Sequence, residues 1–411
     1  MKCSIKGLRH TIKTKVQLPS SKSISNRVLV IQELCDGKFT INNLSRSEDT
    51  MLLKDALCKN GDWNAGLGGT TARFLLALAS IKGESKIITG HDSLKKRPLA
   101  DLVDALNKLG AQITYLENEG HFPVRVNGKI TKGGVVNLKA DVSSQYISAL
   151  MLVAPKLEGG LKIILDGDVV SQPYLDMTRI VMQDFGIDVS FNNGVINIPS
   201  ANYKPRNYFI ETDWSAASYW YEIAALADEA DIFLGNLVDS PLQGDRVIID
   251  IMKKLGVESI VEDGGINLRK NSSSISGNFI LEDLSSSPDL APALIGSVAG
   301  MGLSADFLGL KNFRLKESDR AAALQRELYK FNVKTDFCGG SKFKVYSSEL
   351  YQNRTLNINT YDDHRVALSL APLALKAGEV IIEDPDVVKK SYPEFWNHLS
   401  NAGFDVSRHS E

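Results

Sequence analysis

The sequence lacks the features that mark metal-binding, secreted and membrane proteins. Its four cysteines are isolated, with no CxxC pair, and its six histidines form no HxxxH pair. Scattered cysteines indicate free thiols rather than a disulfide framework or a zinc site. No apolar run approaches the roughly 18 residues of a membrane span, and no apolar core of a signal peptide is present. We therefore expect a cytoplasmic protein that binds no metal and no membrane.

The chain also lacks an excess of charge of either sign. Among 411 residues, Lys and Arg total 47 and Asp and Glu total 49, so the net charge is -2. A dedicated nucleic-acid-binding protein shows a strong basic excess, and we therefore expect no nucleic-acid partner. The length suggests two or three domains.

One type of helical segment recurs six times along the chain. Each copy has apolar residues three and four positions apart, ends at a Gly or Asn, and precedes a strand-like run. Gly or Asn at this place is the expected left-handed stop of a helix. The stops, separated by 49, 76, 70, 76 and 71 residues, are Gly61, Gly110, Gly186, Gly256, Asn332 and Gly403.

A second, more apolar type of helix alternates with the first. A helix that is apolar nearly all round is buried. The six copies begin near Ser23, Thr71, Ser144, Ser215, Asp289 and His364. Repeats of roughly 70 residues, each with a buried helix, an amphipathic helix and strands, predict an α+β protein with sixfold pseudo-repetition. Six copies most simply divide into two groups of three, which gives two similar domains.

The buried helices begin differently in the two halves of the chain. In the first half they begin at segments rich in Ser, Thr or Gly. In the second half they begin beside aspartates, at Asp213, Asp289 and Asp363. A helix N-terminus attracts anions, and an Asp cap fills that position with a carboxylate. Ser and Thr also serve as simple caps, but Lys22, Arg27 and Arg73 favour an anion site in the first half.

Charged loops precede several amphipathic helices. Each loop alone is typical of a solvated surface, and they are residues 95–98, 316–320 and 389–393. Arg365 fits that interpretation less well, because the helix behind it is strongly apolar. If pseudo-symmetry brings the helix starts together, these cations form a local site for a small, highly anionic ligand. Residues 66–71 resemble a phosphate loop but lack the GK[ST] ending of a nucleotide P-loop.

Eight short motifs occur in an order that is specific as a set, although each is weak alone. They are residues 18–27, 69–73, 97–98, 143–145, 243–245, 316–320, 363–365 and 390–393. In this order they resemble the 5-enolpyruvylshikimate-3-phosphate (EPSP) synthase family. These are the 3-phosphoshikimate 1-carboxyvinyltransferases of chorismate and aromatic amino-acid biosynthesis. The resemblance covers nearly the whole chain.

The resemblance implies an inverse-barrel fold of two similar domains, each of three βαβαββ repeats around buried parallel helices. Domain I would be discontinuous, with residues 1–18 and 215–411, and domain II would be residues 19–214. Hinges are expected near Pro19 and Trp214, with the active site in the interdomain cleft. The domains would close over shikimate 3-phosphate and phosphoenolpyruvate, because clustered cations favour an open state without ligands. We expect a monomer that needs no cofactor.

The resemblance also implies ligands for both substrates, position by position. Shikimate 3-phosphate would be bound by Lys22, Ser23, Arg27, Ser143, Ser144, Gln145, Ser171, Asp289, Asn312 and Lys316. Phosphoenolpyruvate would be bound by Lys22, Gly69, Arg97, Gln145, Arg320, Arg365 and Lys390, with Arg73 and His364 in supporting roles. Hydroxyl groups and a helix N-terminus suit a phosphate.

The implied chemistry is an addition followed by an elimination. Asp289 would take the proton of the shikimate 5-hydroxyl, or serve as a helix cap, or both. Glu317 would transfer the proton at C3 of phosphoenolpyruvate, and Lys22 would assist the departing phosphate. Lys316, beside Glu317, is a second candidate for a proton role. We expect His364 to orient its neighbour in the chain rather than to act as a general acid.

The sequence departs from the family pattern in one loop. Leu67 stands where the family has Asn, which puts the affinity for phosphoenolpyruvate in question, and Phe74 stands where many members have Pro or Leu. Gly69 is retained, and in the family a small residue there leaves room for the inhibitor glyphosate.

Two alternative functions remain open at this point. The related enolpyruvyl transferase for UDP-N-acetylglucosamine typically carries a loop Cys as an acid and an N-terminal Lys-Asn pair. Neither is found here, since Cys58 and Cys338 lie outside the motifs. A non-catalytic descendant that binds a phosphorylated ligand is the second alternative. Retention of Asp289, Glu317 and Lys22 counts against it.

Overall fold

The chain divides into two compact units in a computed structural model, which describes residues 1–8, 11–140, 143–167, 169, 171–270 and 279–409. Unit 1 comprises Met1–Pro19 and Glu211–Glu411, and unit 2 comprises Ser20–Ile210. The predicted domain boundaries follow residues 18 and 214, and the two units of the structure divide after residues 19 and 210. The hinge role of the residues near these divisions stays a prediction.

The strands of the described residues are short and alternate with helices. They are β1 (Lys2–Gly7), β2 (Thr11–Gln17), β3 (Ile41–Asn42), β4 (Trp63–Asn64), β5 (Lys86–Thr89), β6 (Gln112–Tyr115), β7 (Val124–Asn127), β8 (Lys132–Lys139), β9 (Glu158–Asp166), β10 (Ser190–Asn192), β11 (Val195–Ile198), β12 (Tyr208–Phe209), β13 (Glu229–Gly235), β14 (Val257–Glu262), β15 (Gly265–Lys270), β16 (Phe279–Asp283), β17 (Ser304–Leu308), β18 (Thr335–Cys338), β19 (Lys342–Val345), β20 (Arg354–Ile358), β21 (Gly378–Glu383) and β22 (Phe404–His409).

The helices fall into the two predicted types, buried and amphipathic, with two further short ones. They are α1 (Lys22–Leu34), α2 (Glu48–Cys58), α3 (Gly69–Lys82), α4 (Asp92–Lys95), α5 (Ala100–Lys108), α6 (Ser144–Val153), α7 (Gln172–Asp184), α8 (Trp214–Leu226), α9 (Ile248–Lys254), α10 (Ala291–Gly300), α11 (Arg320–Lys330), α12 (His364–Leu370), α13 (Ala374–Ala377) and α14 (Phe395–Asn401). None of these helices is long and apolar enough to cross a membrane.

Five four-stranded sheets share one strand order. In each sheet the first strand pairs parallel with the second, and the remaining pairs are antiparallel. The orders are β4-β5-β7-β6, β8-β9-β11-β10, β2-β13-β15-β14, β16-β17-β19-β18 and β20-β21-β1-β22. In four of these sheets a buried helix lies between the first and second strands in the chain, and in the sheet that contains β2 it directly precedes β13. In all five an amphipathic helix follows the second strand. This βαβαββ pattern confirms the predicted α+β fold built from repeats.

The repeat built on α1 and α2 has only two strands, β3 and β12, which pair in parallel. Its hairpin is absent among the described residues because α2 ends at Cys58 and β4 begins at Trp63. The intervening segment is too short for two strands. This repeat also exchanges its first strand with another: β2 precedes α1 but pairs with β13, whereas β12 precedes α8 but pairs with β3.

The predicted helix stops are confirmed at all six positions. Each has a positive backbone φ, between 72° and 106°, which is the left-handed region that Gly and Asn tolerate best. The buried helices begin within two residues of the predicted starts, and α3, α8 and α10 are buried along almost their whole length. These helices form the interiors of the two units.

Candidate functional site

Four helices of unit 2 begin at the same end. Arg27, in the second turn of α1, donates to the Ser148 hydroxyl at 3.2 Å and to the Thr178 hydroxyl at 2.7 Å. These hydroxyls lie in the second turns of α6 and α7. Near the start of α3, Arg73 Nη1 donates to Gln145 Oε1 at 2.9 Å, at the start of α6. The N-termini of α1, α3, α6 and α7 therefore lie close together, and helix N-termini attract anions.

The start of α3 is crowded by two guanidinium groups. An ideal Cβ placed on Gly69 would overlap Nη1 of Arg97 and Nη1 of Arg73. Arg73 also donates to the carbonyl oxygen of Pro98 at 3.0 Å, and the Tyr146 hydroxyl donates to the same oxygen. Three predicted phosphoenolpyruvate ligands, Gly69, Arg97 and Gln145, thus come together around Arg73. We call the predicted residues of this unit the unit 2 cluster: Lys22, Ser23, Arg27, Gly69, Arg73, Arg97, Ser143, Ser144, Gln145 and Ser171.

Lys22, the first residue of α1, forms an ion pair with a carboxylate that sequence reasoning missed. Its Nζ lies 3.0 Å from Oδ2 of Asp49, which is 2% exposed. A buried chain of hydrogen bonds surrounds this aspartate. Thr71 Oγ1 donates to the Asp49 carbonyl oxygen at 2.8 Å, and Thr50 Oγ1 donates to Asn26 Oδ1 at 2.8 Å. Asp49 belongs to no recognised motif, so only its burial and its distance from Lys22 reveal it.

Arg27 has a structural role beside its predicted role as a ligand. Its Nη1 donates to the Ser23 carbonyl oxygen at 2.8 Å, and its Nη2 donates to the Tyr174 carbonyl oxygen at 3.1 Å. Burial lowers the pKa of this guanidinium to about 10, so it remains charged at neutral pH. Most of its donors are used inside unit 2, where they join α1 to α6 and α7.

The serines of the unit 2 cluster lie at helix starts, as predicted. Ser143 caps α6, because its Oγ accepts from the Gln145 N–H at 3.4 Å. Ser144 is the first residue of α6 and is half-buried. Ser171 directly precedes α7 with a φ of 60°. Their roles toward a ligand stay predictions.

A dense network of cations and carboxylates lies in unit 1 around Asp289. Arg365 Nη2 donates to Asp289 Oδ2 at 2.8 Å, and the Lys316 and Arg320 nitrogens each lie 3.5 Å from Asp289 Oδ1. Burial alone would raise the pKa of Asp289, but these three cations together hold it well below its ordinary range. In the unliganded protein this carboxylate is therefore ionised and, as it stands, a poor base at neutral pH.

A second carboxylate, that of Glu317, bridges Arg320 and one further cation, Lys390. Arg320 is fully buried; its Nε donates to Asp363 Oδ2 at 2.9 Å and its Nη2 to Glu317 Oε2 at 2.7 Å. Glu317 Oε1 accepts from Lys390 Nζ at 3.1 Å. Burial disfavours the charged guanidinium of Arg320, but Asp363 and Glu317 outweigh burial and raise its pKa. We call these predicted residues, together with Asp363, the unit 1 cluster: Asp289, Asn312, Lys316, Glu317, Arg320, Asp363, His364, Arg365 and Lys390.

Two predicted residues of unit 1 lie at the edge of this network. His364 is 1% exposed, and its Nδ1 is 3.8 Å from Asp363 Oδ1. It directly precedes Arg365, so the expected orienting role stays a prediction. Asn312 is half-buried on the 3₁₀ segment Lys311–Leu315, just before Lys316. In the described part of the chain, no three His, Cys, Asp or Glu side chains are grouped so as to hold a metal ion.

Sequence reasoning recognised the motif at residues 243–245 but gave it no role. Asp245 accepts a hydrogen bond from the Ser215 hydroxyl, which in turn accepts one from Arg365 Nη2 at 3.4 Å. Burial and the neighbouring Asp289 raise the pKa of Asp245 to about 6. Gln243 instead supports the start of α8, since its Oε1 accepts from the Trp214 N–H at 3.2 Å.

Solved structures define the class of fold. An EPSP synthase from Acinetobacter baumannii matches with a TM-score of 0.76 at 21% identity, over 99% of this chain and 100% of the other. The enolpyruvyl transferase NikO from Streptomyces tendae matches with a TM-score of 0.74 at 13% identity, over 99% and 98% of the two chains. The protein therefore has the enolpyruvyl transferase fold.

Sequence relatives define the family within this fold. The family described as EPSP synthase (3-phosphoshikimate 1-carboxyvinyltransferase) matches residues 58–399. A protein of that activity name from Bacteroides fragilis is 39% identical over 96% of both chains. Another from Haemophilus influenzae is 32% identical over 93% of this chain and 95% of its own. The chain belongs to the EPSP synthase family.

Proposed function

We propose that this protein transfers the enolpyruvyl group of phosphoenolpyruvate to the 5-hydroxyl of shikimate 3-phosphate and releases inorganic phosphate. The observation that carries the proposal is the unit 1 cluster, where the buried Asp289 carboxylate lies among Arg365, Lys316 and Arg320. Family membership and the helix N-termini of unit 2 support it, because both substrates are anions that such groups bind well. The cytoplasmic location and the monomeric state stay predictions from the sequence.

In the proposed addition step, Asp289 takes the proton of the 5-hydroxyl, and the oxygen forms a bond to C2 of phosphoenolpyruvate. The electron pair of the C2=C3 bond takes a proton at C3, which Glu317 delivers. An anion bound to Arg320 and Arg365 would compete with Asp289 for these cations. It would thereby raise the pKa of Asp289 toward the range of a working base.

In the proposed elimination step, C3 gives its proton back to Glu317 and the C2=C3 bond forms again. The bond between C2 and the phosphate oxygen breaks, and phosphate leaves with that electron pair. Lys22 would stabilise the charge on the departing phosphate. Its ion pair with Asp49 holds Lys22 at the start of α1.

Phosphate release from phosphoenolpyruvate tests the proposal. We expect release only when shikimate 3-phosphate is present, and none when UDP-N-acetylglucosamine is the sole acceptor. Release with UDP-N-acetylglucosamine alone would assign the chain to the alternative transferase activity. No release with either acceptor, together with measurable binding of shikimate 3-phosphate, would favour a non-catalytic binding protein.

Replacing Gly69 by alanine is expected to raise KM for phosphoenolpyruvate about 10- to 100-fold. The added methyl group would overlap the guanidinium groups of Arg97 and Arg73, and α3 is buried, so the arginines must move. Overpacking of this kind costs about 1–3 kcal/mol. Steady-state kinetics at saturating shikimate 3-phosphate provide the measurement.

Gly134→Ala is the matched control in unit 2. An ideal Cβ there meets only Leu109 Cδ2, at 3.9 Å, so its KM should equal that of the unchanged protein. Equal KM values for Gly69→Ala and Gly134→Ala would show that Arg97, supported by Arg73, does not bind phosphoenolpyruvate in the geometry described.

A further inference from the structure

The segment that carries Lys390 is anchored at both of its ends by indole groups. It is the 3₁₀ turn Pro385–Lys390, which continues into Tyr392. At its start, Trp396 Nε1 donates to the Pro385 carbonyl oxygen at 3.0 Å. At its end, Trp220 Nε1 of α8 donates to the Tyr392 hydroxyl at 3.0 Å. Lys390 itself is 1% exposed, so small movements of this segment would displace its amine.

The hydroxyl of Tyr392 also lies 2.8 Å from Nδ1 of His398 on α14. An indole N–H can only donate, so this hydroxyl accepts from Trp220 and has its single hydrogen left to give. Given to His398 Nδ1, that hydrogen pairs with a ring lone pair, and the buried hydroxyl is then satisfied both as a donor and as an acceptor. In this pairing His398 is neutral and carries its own hydrogen on Nε2.

We infer that Tyr392 and His398 are positioning residues for Lys390, and that the neutral imidazole keeps this cation in place. The inference rests on the proposed function, in which Lys390 binds phosphoenolpyruvate. Tyr392 is fully buried and lies two residues after Lys390, so its two hydrogen bonds restrict where the preceding turn can lie. The sequence motif at residues 390–393 contains Tyr392, but no local pattern connects it with His398 or Trp220.

The same aromatic groups reach a second cation of the unit 1 cluster. The rings of Tyr392 and Phe395 pack edge to face at 5.4 Å, and Phe395 packs edge to face with Tyr219 at 6.1 Å. Arg365 Nη1 donates to the Tyr219 hydroxyl at 3.3 Å. One continuous set of buried rings thus supports both Lys390 and Arg365. Displacement of Tyr392 would therefore change the positions of both cations.

The surroundings of His398 favour its neutral form. Burial lowers the pKa of His398 below its ordinary value, and Glu394, one turn earlier, opposes this effect without cancelling it. The packed strand β22 carries Asp405, Arg408 and His409, and the anchored turn carries Asp386 and Lys389. Asp386 is engaged with Lys389 at 3.0 Å and with Arg408 at 3.6 Å. Protonation at acidic pH would remove the lone pair and leave the buried Tyr392 hydrogen without its acceptor.

Tyr392→Phe is the variant that tests this inference. It keeps the ring and removes only the hydroxyl. At pH 7.5 we expect KM for phosphoenolpyruvate to rise about 10-fold, as loss of one buried hydrogen bond would give, while kcat changes less than about twofold. His398→Leu should behave alike, whereas His398→Asn, whose Oδ1 can accept in place of Nδ1, should restore KM.

The dependence on pH separates positioning from a merely structural role. As the pH is lowered from 7.5 to below the ordinary histidine pKa of 6.5, KM of the unchanged protein should approach that of Tyr392→Phe once His398 becomes protonated. His398→Asn should keep its advantage over Tyr392→Phe across this range. Titration of the substrate phosphates affects all variants equally and cancels in the ratio of KM values.

Tyr221→Phe is the matched control, since it also removes a buried hydroxyl from unit 1, one that bonds the Ser259 hydroxyl at 2.7 Å. Its KM should not change. If the unchanged protein is active and Tyr392→Phe has a normal KM, the inference is overturned and the proposed function is not affected. Equal loss in Tyr392→Phe and His398→Asn, with a lowered melting temperature in both, would also overturn it. An unchanged protein that releases no phosphate would instead refute the proposed function.

Discussion

Asp289→Asn is expected to lower kcat for phosphate release about 10³-fold without raising KM for phosphoenolpyruvate. The amide keeps the shape of the side chain but cannot take the hydroxyl proton, and a positioned base contributes about 10²–10⁴-fold. In the proposed function the unchanged carboxylate, paired with Arg365, Lys316 and Arg320, would compete with an anionic ligand for these cations. Removing its charge frees these cations, so phosphoenolpyruvate should bind at least as well.

Asp306→Asn is the control for this prediction. Asp306 is also a carboxylate between two cations of unit 1, at 3.0 Å from the Lys342 amine and 4.0 Å from the Lys344 amine. It lies outside the unit 1 cluster, and both kinetic constants should be unchanged. Steady-state kinetics and the binding of phosphoenolpyruvate by calorimetry provide the measurements. A normal kcat in Asp289→Asn would remove this residue from the role of base.

The stability of unit 1 is expected to fall as the pH rises, because of one buried acid. Glu222 of α8 is 0% exposed, and neither of its carboxyl oxygens has a hydrogen-bond partner among the described residues. It lies against α10 and α12: an ideal Cβ on Gly296 would overlap Oε1 of Glu222 and lie 2.7 Å from the Ser369 carbonyl oxygen. Burial raises the pKa of Glu222 well above its ordinary value of 4.5, so folding takes up a proton above that pH.

The sign of this effect follows from the raised pKa. Well below pH 4.5 the side chain is neutral in both the folded and the unfolded chain, and it contributes no dependence of stability on pH. Above that pH the unfolded chain releases the proton and the folded chain keeps it. The free energy of unfolding therefore falls by about 1.4 kcal/mol per pH unit until Glu222 ionises in the folded protein.

Glu222→Gln isolates this contribution, because glutamine does not titrate. The stability difference between Glu222→Gln and the unchanged protein should move in favour of the variant by about 1.4 kcal/mol per unit between pH 5 and pH 7. Urea unfolding followed by tryptophan fluorescence reports mainly on unit 1, which contains Trp214, Trp220 and Trp396. Glu258→Gln, an exposed position of the same unit, should show no such slope. A difference that is independent of pH would mean that Glu222 is ionised or hydrated in the folded protein.

Much of the fold could be predicted from the sequence because its signals are local. A Gly or Asn that ends a helix acts through its own backbone, and positions such as Gly61 and Asn332 have the left-handed φ that was expected. The apolar composition of a helix likewise predicts that the helix is buried. The exchange of β2 and β12 between repeats could not be predicted from residue patterns. Each of these strands pairs with a segment more than 150 residues away, and nothing in either strand specifies that partner.

The candidate site shows the same division. Cations and serines at helix starts, such as Lys22 and Ser143, stand in recognisable motifs. Their partners do not: Asp49 pairs with Lys22 across 27 residues, and Trp220 bonds Tyr392 across 172. The low pKa of Asp289 could also be recognised only from the structure, because it depends on three cations that folding brings together. Motifs therefore identify the groups that meet ligands, whereas the residues that tune these groups become visible only in three dimensions.

The position of β1 sets an order for folding during synthesis. This strand lies between β21 and β22, and Lys2 pairs with both Glu383 and His409. At about 5–20 residues per second, a ribosome needs on the order of 20–80 seconds to make the chain between these partners. Unit 2 is a continuous segment and can fold while translation proceeds. The nascent β1 meanwhile keeps both edges unpaired until the last repeat emerges, whereas β2 can pair once β13 has been made, so β1 is the longer-lived binding site for chaperones.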